Sequence, residues 1–133
     1  MNKQKIINEI NKLNIDKNEF WVCGSASLVL RDLTISASDI DLAITKNAFN
    51  NLEKQTNIIY LGTNANHKWY KINDIVEFCI DEKTNEKVDM KEPFNLLNLN
   101  YYYNNFIKNS KRKKDIIKKE LLEKVLFDKK DKD

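Results

Sequence analysis

Three acidic side chains are the residues of this sequence most suited to chemistry. Asp39 and Asp41 stand two apart in the segment DIDLAI, so on a β-strand their carboxylates leave one face about 6.5 Å apart. Glu77 has the same place in a later segment, VEFCI. Carboxylate oxygens bind Mg²⁺ or Mn²⁺, and two such ions lower the barrier to in-line attack at a phosphate. The acids therefore predict a two-metal site.

A glycine–serine pair could hold the phosphate itself. Gly24 and Ser25 follow the apolar run FWVC and precede SASLVL, whose apolar residues have helical spacing. Amide groups at the start of a helix bind anions, glycine permits close approach, and the Ser25 hydroxyl adds a donor. The alternative is a simple helix N-cap, for which serine is favoured. The pair alone does not decide between these interpretations.

Alternating apolar residues show which way the acids point. Ile40, Leu42 and Ile44 lie opposite Asp39 and Asp41 on their strand. In the same way, Glu77 stands opposite the apolar face formed by Val76, Phe78 and Ile80. A lone pair of acids is often a solvated strand face. The strand, Gly-Ser turn and helix before the pair, and the acid-bearing strand after it, favour a nucleotide and metal site.

The remaining elements form one α/β (α+β) domain spanning residues 1–133. Periodicity predicts helices over residues 2–13, 25–30 and 46–55, and helical structure from Pro93 to about residue 127 with a break near residues 109–110. It predicts strands over 20–23, 39–44 and 58–62, and a hairpin, 67–73 with 74–80, that turns at Asn73-Asp74. We expect a core over about residues 20–90, a helical part over 94–127 and a disordered tail over 128–133.

Composition limits the compartment and the partners. No apolar stretch is long enough to cross a bilayer, and Cys23 and Cys79 each lie in an apolar run without metal-ligand spacing. Buried free thiols are favoured over a disulfide or metal pair, so a cytoplasmic protein without a membrane partner is expected. His67, the one histidine, is interpreted as a packing or hydrogen-bonding residue.

The C-terminal part is basic. The net charge is +3, but residues 108–133 hold 11 Lys/Arg and 6 Asp/Glu, whereas residues 1–107 hold 12 and 14. With the run Tyr101-Tyr102-Tyr103 upstream, this segment could contact RNA phosphates and stack bases. A solvated basic face is the alternative. Three consecutive tyrosines cannot share one helix face, so at least one is expected in the core.

The combined pattern resembles the nucleotidyltransferase superfamily with the DNA polymerase β-like fold. The residues that carry this resemblance are Gly24-Ser25, Asp39-Ile40-Asp41 with Ser38 in front, and Glu77. The sequence is most similar in pattern to small bacterial proteins related to the AbiEii toxin and to minimal and lincosamide-type nucleotidyltransferases. Those often have a basic residue followed by Lys-Asp on a late helix, which Arg112-Lys113-Lys114-Asp115 matches.

This resemblance implies a mixed β-sheet with helices on one face, followed by C-terminal helices. It implies transfer of a nucleoside monophosphate from an NTP to a hydroxyl or phosphate acceptor. Asp39, Asp41 and Glu77 would bind the metals, and Gly24, Ser25 and Ser38 the nucleotide. Arg31 and Lys114 are further candidates for triphosphate contacts, although surface solvation explains each equally well.

Several identities remain open for the acceptor and for the biological role. The acceptor could be a tRNA or other RNA end, a protein side chain or a small molecule such as an antibiotic. The basic tail favours a toxin-like or RNA-directed enzyme. The rival hypothesis is a catalytically weak binding module of the same fold, which acts as an antitoxin or partner subunit.

Overall fold

A computed structural model describes residues 1–64 and 66–127 of the chain. The helices are α1 (Lys3–Asn11), α2 (Gly24–Leu30), α3 (Lys46–Glu53), α4 (Leu99–Tyr102), a π-helical turn (Tyr103–Ile107) and α5 (Lys113–Phe127). The strands are β1 (Phe20–Cys23), β2 (Ile40–Ile44), β3 (Ile59–Asn64), β4 (His67–Lys71), β5 (Val76–Ile80), β6 (Val88–Met90) and β7 (Asn95–Leu97). The predicted tail over residues 128–133 lies outside the described part.

The seven strands form one mixed sheet in the order β3-β4-β5-β2-β1-β7-β6. β2 is parallel to β5, and β1 is parallel to β7, whereas the other neighbouring pairs are antiparallel. The predicted mixed sheet with helices is therefore confirmed. Because β2 and β5 are parallel and adjacent, residues that occupy equivalent positions on them become lateral neighbours.

Each face of the sheet is covered by a different group of helices. On one face, the even-numbered residues Val22, Leu42 and Phe78 pack with α1, α2 and α3. On the other, Trp21, Ala43 and Cys79 pack with the C-terminal helices, including Tyr102 and Leu122. The predicted C-terminal helices thus close the second face, which is the face that also carries the acids.

Side-chain caps fix the ends of several elements. Asn2, Thr45 and Asn98 each accept a backbone N–H in the first turn of α1, α3 and α4, respectively. In the turn between β4 and β5, Oδ1 of Asn73 accepts the N–H groups of Ile75 and Val76, both at 2.8 Å. The predicted hairpin is present, with a turn longer than the Asn73-Asp74 pair.

The predicted continuous helical structure after Pro93 is wrong for its first residues. Asn95–Leu97 is instead strand β7, which pairs with β1 and β6, and β6 itself was not predicted. Each strand has three residues, too few for an alternation to be distinguished from helical spacing. The predicted break near residues 109–110 is present before α5. In the described residues, no helix is long and apolar enough to span a membrane.

Candidate active site

Two of the predicted acids are direct neighbours on the sheet. Asp41 of β2 is in register with Glu77 of β5 on one side and with Cys23 of β1 on the other. Neighbouring strands are about 4.8 Å apart, so these three side chains form a lateral row on one face. Asp39 directly precedes β2, and it is exposed. Ser38 lies beside it in the loop before β2 and is also exposed.

Asp41 has the most perturbed carboxyl group of this cluster. Burial raises its pKa to about 6, and the negative charges of Asp39 and Glu77 contribute to this increase. The positive charges of Lys118 and Lys114 oppose it. The acids are therefore close enough to repel one another. A cation bound among them would relieve that repulsion.

The start of α2 approaches the same carboxylate. Gly24 has a φ of +57°, and a Cβ atom built on it would lie 2.9 Å from Oδ2 of Asp41. Cys23 is the N-cap residue of α2 and makes no side-chain cap bond, and Ser25 lies in the first turn. The interpretation of Ser25 as the N-cap is therefore wrong. The amide groups of this turn are not capped by a side chain, as an anion-binding turn requires.

Helix α5 places two lysines beside the acids. Lys114 and Lys118 are one helical turn apart, and both act electrostatically on Asp41. Buried Asp115 accepts the Ser110 hydroxyl at 2.6 Å, and its carboxylate lies 3.8 Å from Nζ of Lys118 and 4.0 Å from Nε of Arg112. Asp115 thus orients basic neighbours. Lys118 was not predicted from the sequence, although its spacing from Lys114 was a usable signal.

Burial changes the ionisation of residues around the cluster. It lowers the pKa of Lys118, which is also lowered by Lys114 and raised by Asp115 and Asp41. Tyr102 is buried, and its pKa is raised by burial and by the charges of Asp115 and Asp41. At neutral pH, Tyr102 is therefore a neutral wall of the site and not a base.

Arg31 lies at the other end of α2 from Gly24. Its Nη2 atom donates to Oδ2 of Asp89 at 2.8 Å and to the carbonyl oxygen of Leu97 at 3.0 Å. Only 11% of the side chain is exposed, and Nε has no partner among the described residues. The structure thus uses Arg31 to join α2 to β6 and β7. At 1.5 Å per residue, the helix separates it from Gly24 by about 10 Å.

Cys23 and Cys79 are both free thiols, and Cys79 is buried as predicted, whereas Cys23 is half-buried. Burial raises the pKa of each, to about 12 for Cys79, and nearby carboxylates including Asp41 raise it further. Both thiols are therefore protonated at neutral pH, and neither is an activated nucleophile. The His67 Nε2 atom lies 4.0 Å from Oδ2 of Asp81, away from the Asp39–Asp41 pair.

The three acids are residue types that bind Mg²⁺, but their side chains do not converge on one point. Three carboxylates are the hard oxygen ligands that Mg²⁺ prefers. In the described ranges, however, no three His, Cys, Asp or Glu side chains converge into a metal-binding group.

Comparison with known proteins identifies the fold. No protein-family model matches the chain, and no curated protein matches it. A crystal structure of ANT(2″)-Ia in complex with adenylyl-2″-tobramycin is similar to it, with a TM-score of 0.57 and 15% sequence identity. The similarity covers 96% of this chain and 88% of that chain.

The chain has a nucleotidyltransferase fold. The resemblance inferred from the sequence is thereby supported at the level of architecture, because ANT(2″)-Ia is an aminoglycoside nucleotidyltransferase. In this chain, the nucleotidyltransferase fold brings together the Gly24 turn, Asp41 and Glu77, three features that are far apart in sequence.

Proposed function

We propose that this chain is a magnesium-dependent nucleotidyltransferase that moves a nucleoside monophosphate from an NTP to a hydroxyl or phosphate acceptor. The observation that carries this proposal is the position of Asp41. It lies between Glu77 on the neighbouring strand and the Gly24 turn, whose α-carbon is in close approach to its carboxylate. Two candidate metal ligands and the candidate phosphate-binding turn thus lie next to one another.

Asp39, Asp41 and Glu77 would hold Mg²⁺, with Mn²⁺ as an alternative ion. The bound metal supplies positive charge that neutralises phosphate oxygens and aligns attacking and leaving groups. Burial is the main cause of the raised pKa of Asp41, about 6, and the negative charges of Asp39 and Glu77 add to it; a bound cation would offset these charges. Asp41 is mostly ionised at pH 7 even without a metal, so it is available as a ligand.

The Gly24 turn and helix α5 would bind the triphosphate from two directions. The backbone amides at Gly24 and Ser25 donate to phosphate oxygens, and the absence of a side-chain cap on α2 leaves them available. Lys114 and Lys118 supply positive charge opposite the turn, toward Asp41. Ser38, exposed before β2, is a further hydroxyl donor for the nucleotide. The ion pair of Arg31 with Asp89 supports a structural role for Arg31 in place of a triphosphate contact.

The reaction is an in-line displacement at the α-phosphorus. The acceptor oxygen forms a bond to this phosphorus while the bond from phosphorus to the bridging oxygen of pyrophosphate breaks. The electron pair of that broken bond leaves with pyrophosphate. Glu77 is the candidate general base that takes the acceptor proton. Lys114 and Lys118 are placed to stabilise the charge that develops on the leaving group.

The spread acid side chains favour one alternative, a binding module with weak or lost chemistry. In the described residues the acids do not form a ready metal-binding group, which such a module would not need. The enzyme would be consistent with an AbiEii-like toxin. The binding module would be consistent with an antitoxin or a partner subunit. ANT(2″)-Ia was crystallised with adenylyl-2″-tobramycin, so a small-molecule acceptor is a specific candidate for this chain too.

The test is incubation of the protein with each α-labelled NTP, Mg²⁺ and a panel of acceptors consisting of total tRNA, cell extract and tobramycin. We expect label transfer that disappears in Asp39→Asn, Asp41→Asn and Glu77→Gln. Glu82→Gln is the matched control, because Glu82 is an exposed acid just beyond β5. Absence of both transfer and NTP binding by calorimetry in the wild-type protein would establish the binding-module alternative instead.

A further inference from the structure

The row of side chains that contains the acids continues onto strand β4. Lys71 of β4 is in register with Glu77 of β5, which is in register with Asp41 of β2. Residues in register on adjacent strands lie on one face about 5 Å apart. From one end to the other, the row therefore reads Cys23, Asp41, Glu77, Lys71.

Given the proposed function, the position of the leaving group determines the direction of the acceptor. Pyrophosphate would sit at the Gly24 turn, which follows Cys23 at the β1 end of the row. Attacking and leaving oxygens lie roughly in line across the phosphorus atom. The acceptor must then approach from the opposite end of the row, past Glu77. That end is the surface of β4.

An aromatic side chain lies next to Lys71 on this surface. Trp69 is half-buried on the same face, and its Nε1 atom donates to the carbonyl oxygen of Asn64 at 3.2 Å, which orients the indole. Trp69 is in register with Gly62 on the neighbouring strand β3. A Cβ atom built on Gly62 would meet no heavy atom within 4 Å, so there is open space at this position. A planar ring could occupy that space.

Lys71 is available to a phosphate. Its side chain is 34% exposed, and its Nζ atom lies 3.8 Å from Oδ1 of Asp74, whose side chain is fully exposed. Exposed ion pairs of this kind contribute little free energy, so an incoming anion can replace Asp74.

We propose that Trp69 and Lys71 bind a single-stranded nucleic acid whose terminal hydroxyl is the acceptor. A base stacks on Trp69, and a phosphate of the same strand contacts Lys71. Within the tyrosine run, Tyr102 and Tyr103 are each only 5% exposed, so neither offers a free ring face for stacking, and Tyr101 is half-buried. Trp69 and Lys71 are acceptor-binding residues, whereas the acids and the Gly24 turn serve the nucleotide.

Binding of dye-labelled single-stranded RNA and DNA decamers of mixed sequence, measured by fluorescence anisotropy, tests the inference without requiring catalysis. We expect Trp69→Ala and Lys71→Gln each to raise the Kd for one or both probes at least fivefold. Lys71→Gln should also reduce the slope of log K against log salt by about 0.7, the value for one lost phosphate contact.

Lys68→Gln is the matched control, because Lys68 is an exposed lysine on the other face of β4. Trp69→Phe keeps an aromatic ring and should retain most of the affinity if the Trp69→Ala loss is due to stacking.

The outcomes separate this inference from the proposed function. Unchanged Kd values in both variants, equal losses in Lys68→Gln, or label transfer to tobramycin but to neither nucleic acid would overturn the acceptor assignment. Failure of NTP binding in the wild-type protein, with decamer binding that depends on Trp69 and Lys71, would overturn the enzyme proposal and leave the surface assignment standing.

Discussion

Oδ2 of Asp41 lies 2.9 Å from the position that a Cβ atom on Gly24 would occupy. Real Cβ atoms do not approach a neighbour so closely, so a side chain at residue 24 would displace the carboxylate or the turn. The same glycine has a φ of +57°, a conformation that is costly for other residues. Residue 24 therefore requires glycine for two reasons. Its backbone conformation is costly for other residues, and a side chain would collide with Asp41, the candidate metal ligand.

Gly24→Ala is expected to destabilise the protein and to abolish transfer. The left-handed conformation alone costs about 1–2 kcal/mol in free energy of unfolding, and the contact with Asp41 adds to it. Urea unfolding and the labelled NTP assay measure the two effects. Gly62→Ala is the matched control for stability and NTP binding, because Gly62 also has a positive φ, +131°, but open space around its Cβ position. Transfer that survives in Gly24→Ala would show that the close approach to Asp41 is unimportant.

Asp41→Asn should stabilise the metal-free protein at pH 8 while abolishing transfer. The pKa of Asp41 is about 6 in the folded protein against an ordinary value of 3.8, so the folded state favours the protonated carboxyl. This contribution to stability is fully present below pH 3.8 and is lost as pH rises through 6. The wild type loses about 2 kcal/mol in free energy of unfolding over this pH range, after allowance for partial solvent access. The amide of Asp41→Asn does not titrate, so the variant does not lose this stability.

Urea unfolding of both proteins in EDTA from pH 4 to pH 8 measures this difference. The gap between Asp41→Asn and the wild type should grow over that range. Asp74→Asn, at a fully exposed carboxylate, is the control and should give only a small gap. An Asp41→Asn gap that does not change with pH would contradict the burial and crowding assigned to Asp41. Excess Mg²⁺ should stabilise the wild type more than the variant, since only the wild type keeps all three proposed ligands.

The faces of the strands could be predicted from the sequence, whereas their pairing could not. A period of two places Asp41 opposite Leu42 and Glu77 opposite Phe78, whatever the neighbours of each strand, and the core confirms both assignments. That β2 and β5 lie side by side in parallel depends on packing between segments that are distant in the chain. The sequence predicts helix at the three-residue strand β7. The pairing of β7 with β1 is a tertiary contact, which local spacing does not reveal.

The same limit explains why the ion-pair partner of Arg31 and the position of Lys118 could not be predicted from the sequence. Arg31 was a candidate phosphate ligand because of its charge near the Gly-Ser turn, but its partner Asp89 is 58 residues away in the chain. Lys118 was missed because the position of α5 over the acids follows from the burial of Leu122 and Tyr102 between helix and sheet. Long-range packing of this kind is not encoded in local spacing.

Arg31→Gln should reduce stability and leave NTP affinity unchanged. Its guanidinium bonds Asp89 and the Leu97 carbonyl, and Asn98 donates to the other oxygen of Asp89 at 2.9 Å. Loss of Arg31 removes the positive charge beside the partly buried Asp89 carboxylate and leaves the Asn98 amide as its hydrogen-bond donor, which costs about 2 kcal/mol. Urea unfolding and NTP calorimetry measure the two quantities. Lys3→Gln breaks an exposed ion pair with Asp32 and should cost less than about 1 kcal/mol. A tenfold weaker NTP affinity without a loss of stability would instead place Arg31 on the nucleotide.

Lys118→Gln should weaken NTP binding about tenfold, the effect of one lost charge-assisted contact to phosphate. Lys118 is 22% exposed, lies 3.8 Å from Asp115 and acts electrostatically on Asp41, so its ammonium is held on the side of α5 that faces the acids. Lys113→Gln is the control, because Lys113 is an exposed lysine on the same helix. NTP titration calorimetry at two salt concentrations distinguishes a site contact from a general charge effect. If Lys118 contacts the NTP, Lys118→Gln should weaken NTP affinity far more than Lys113→Gln at both salt concentrations. Equal losses of affinity that disappear at high salt would show that α5 acts only as a general basic surface.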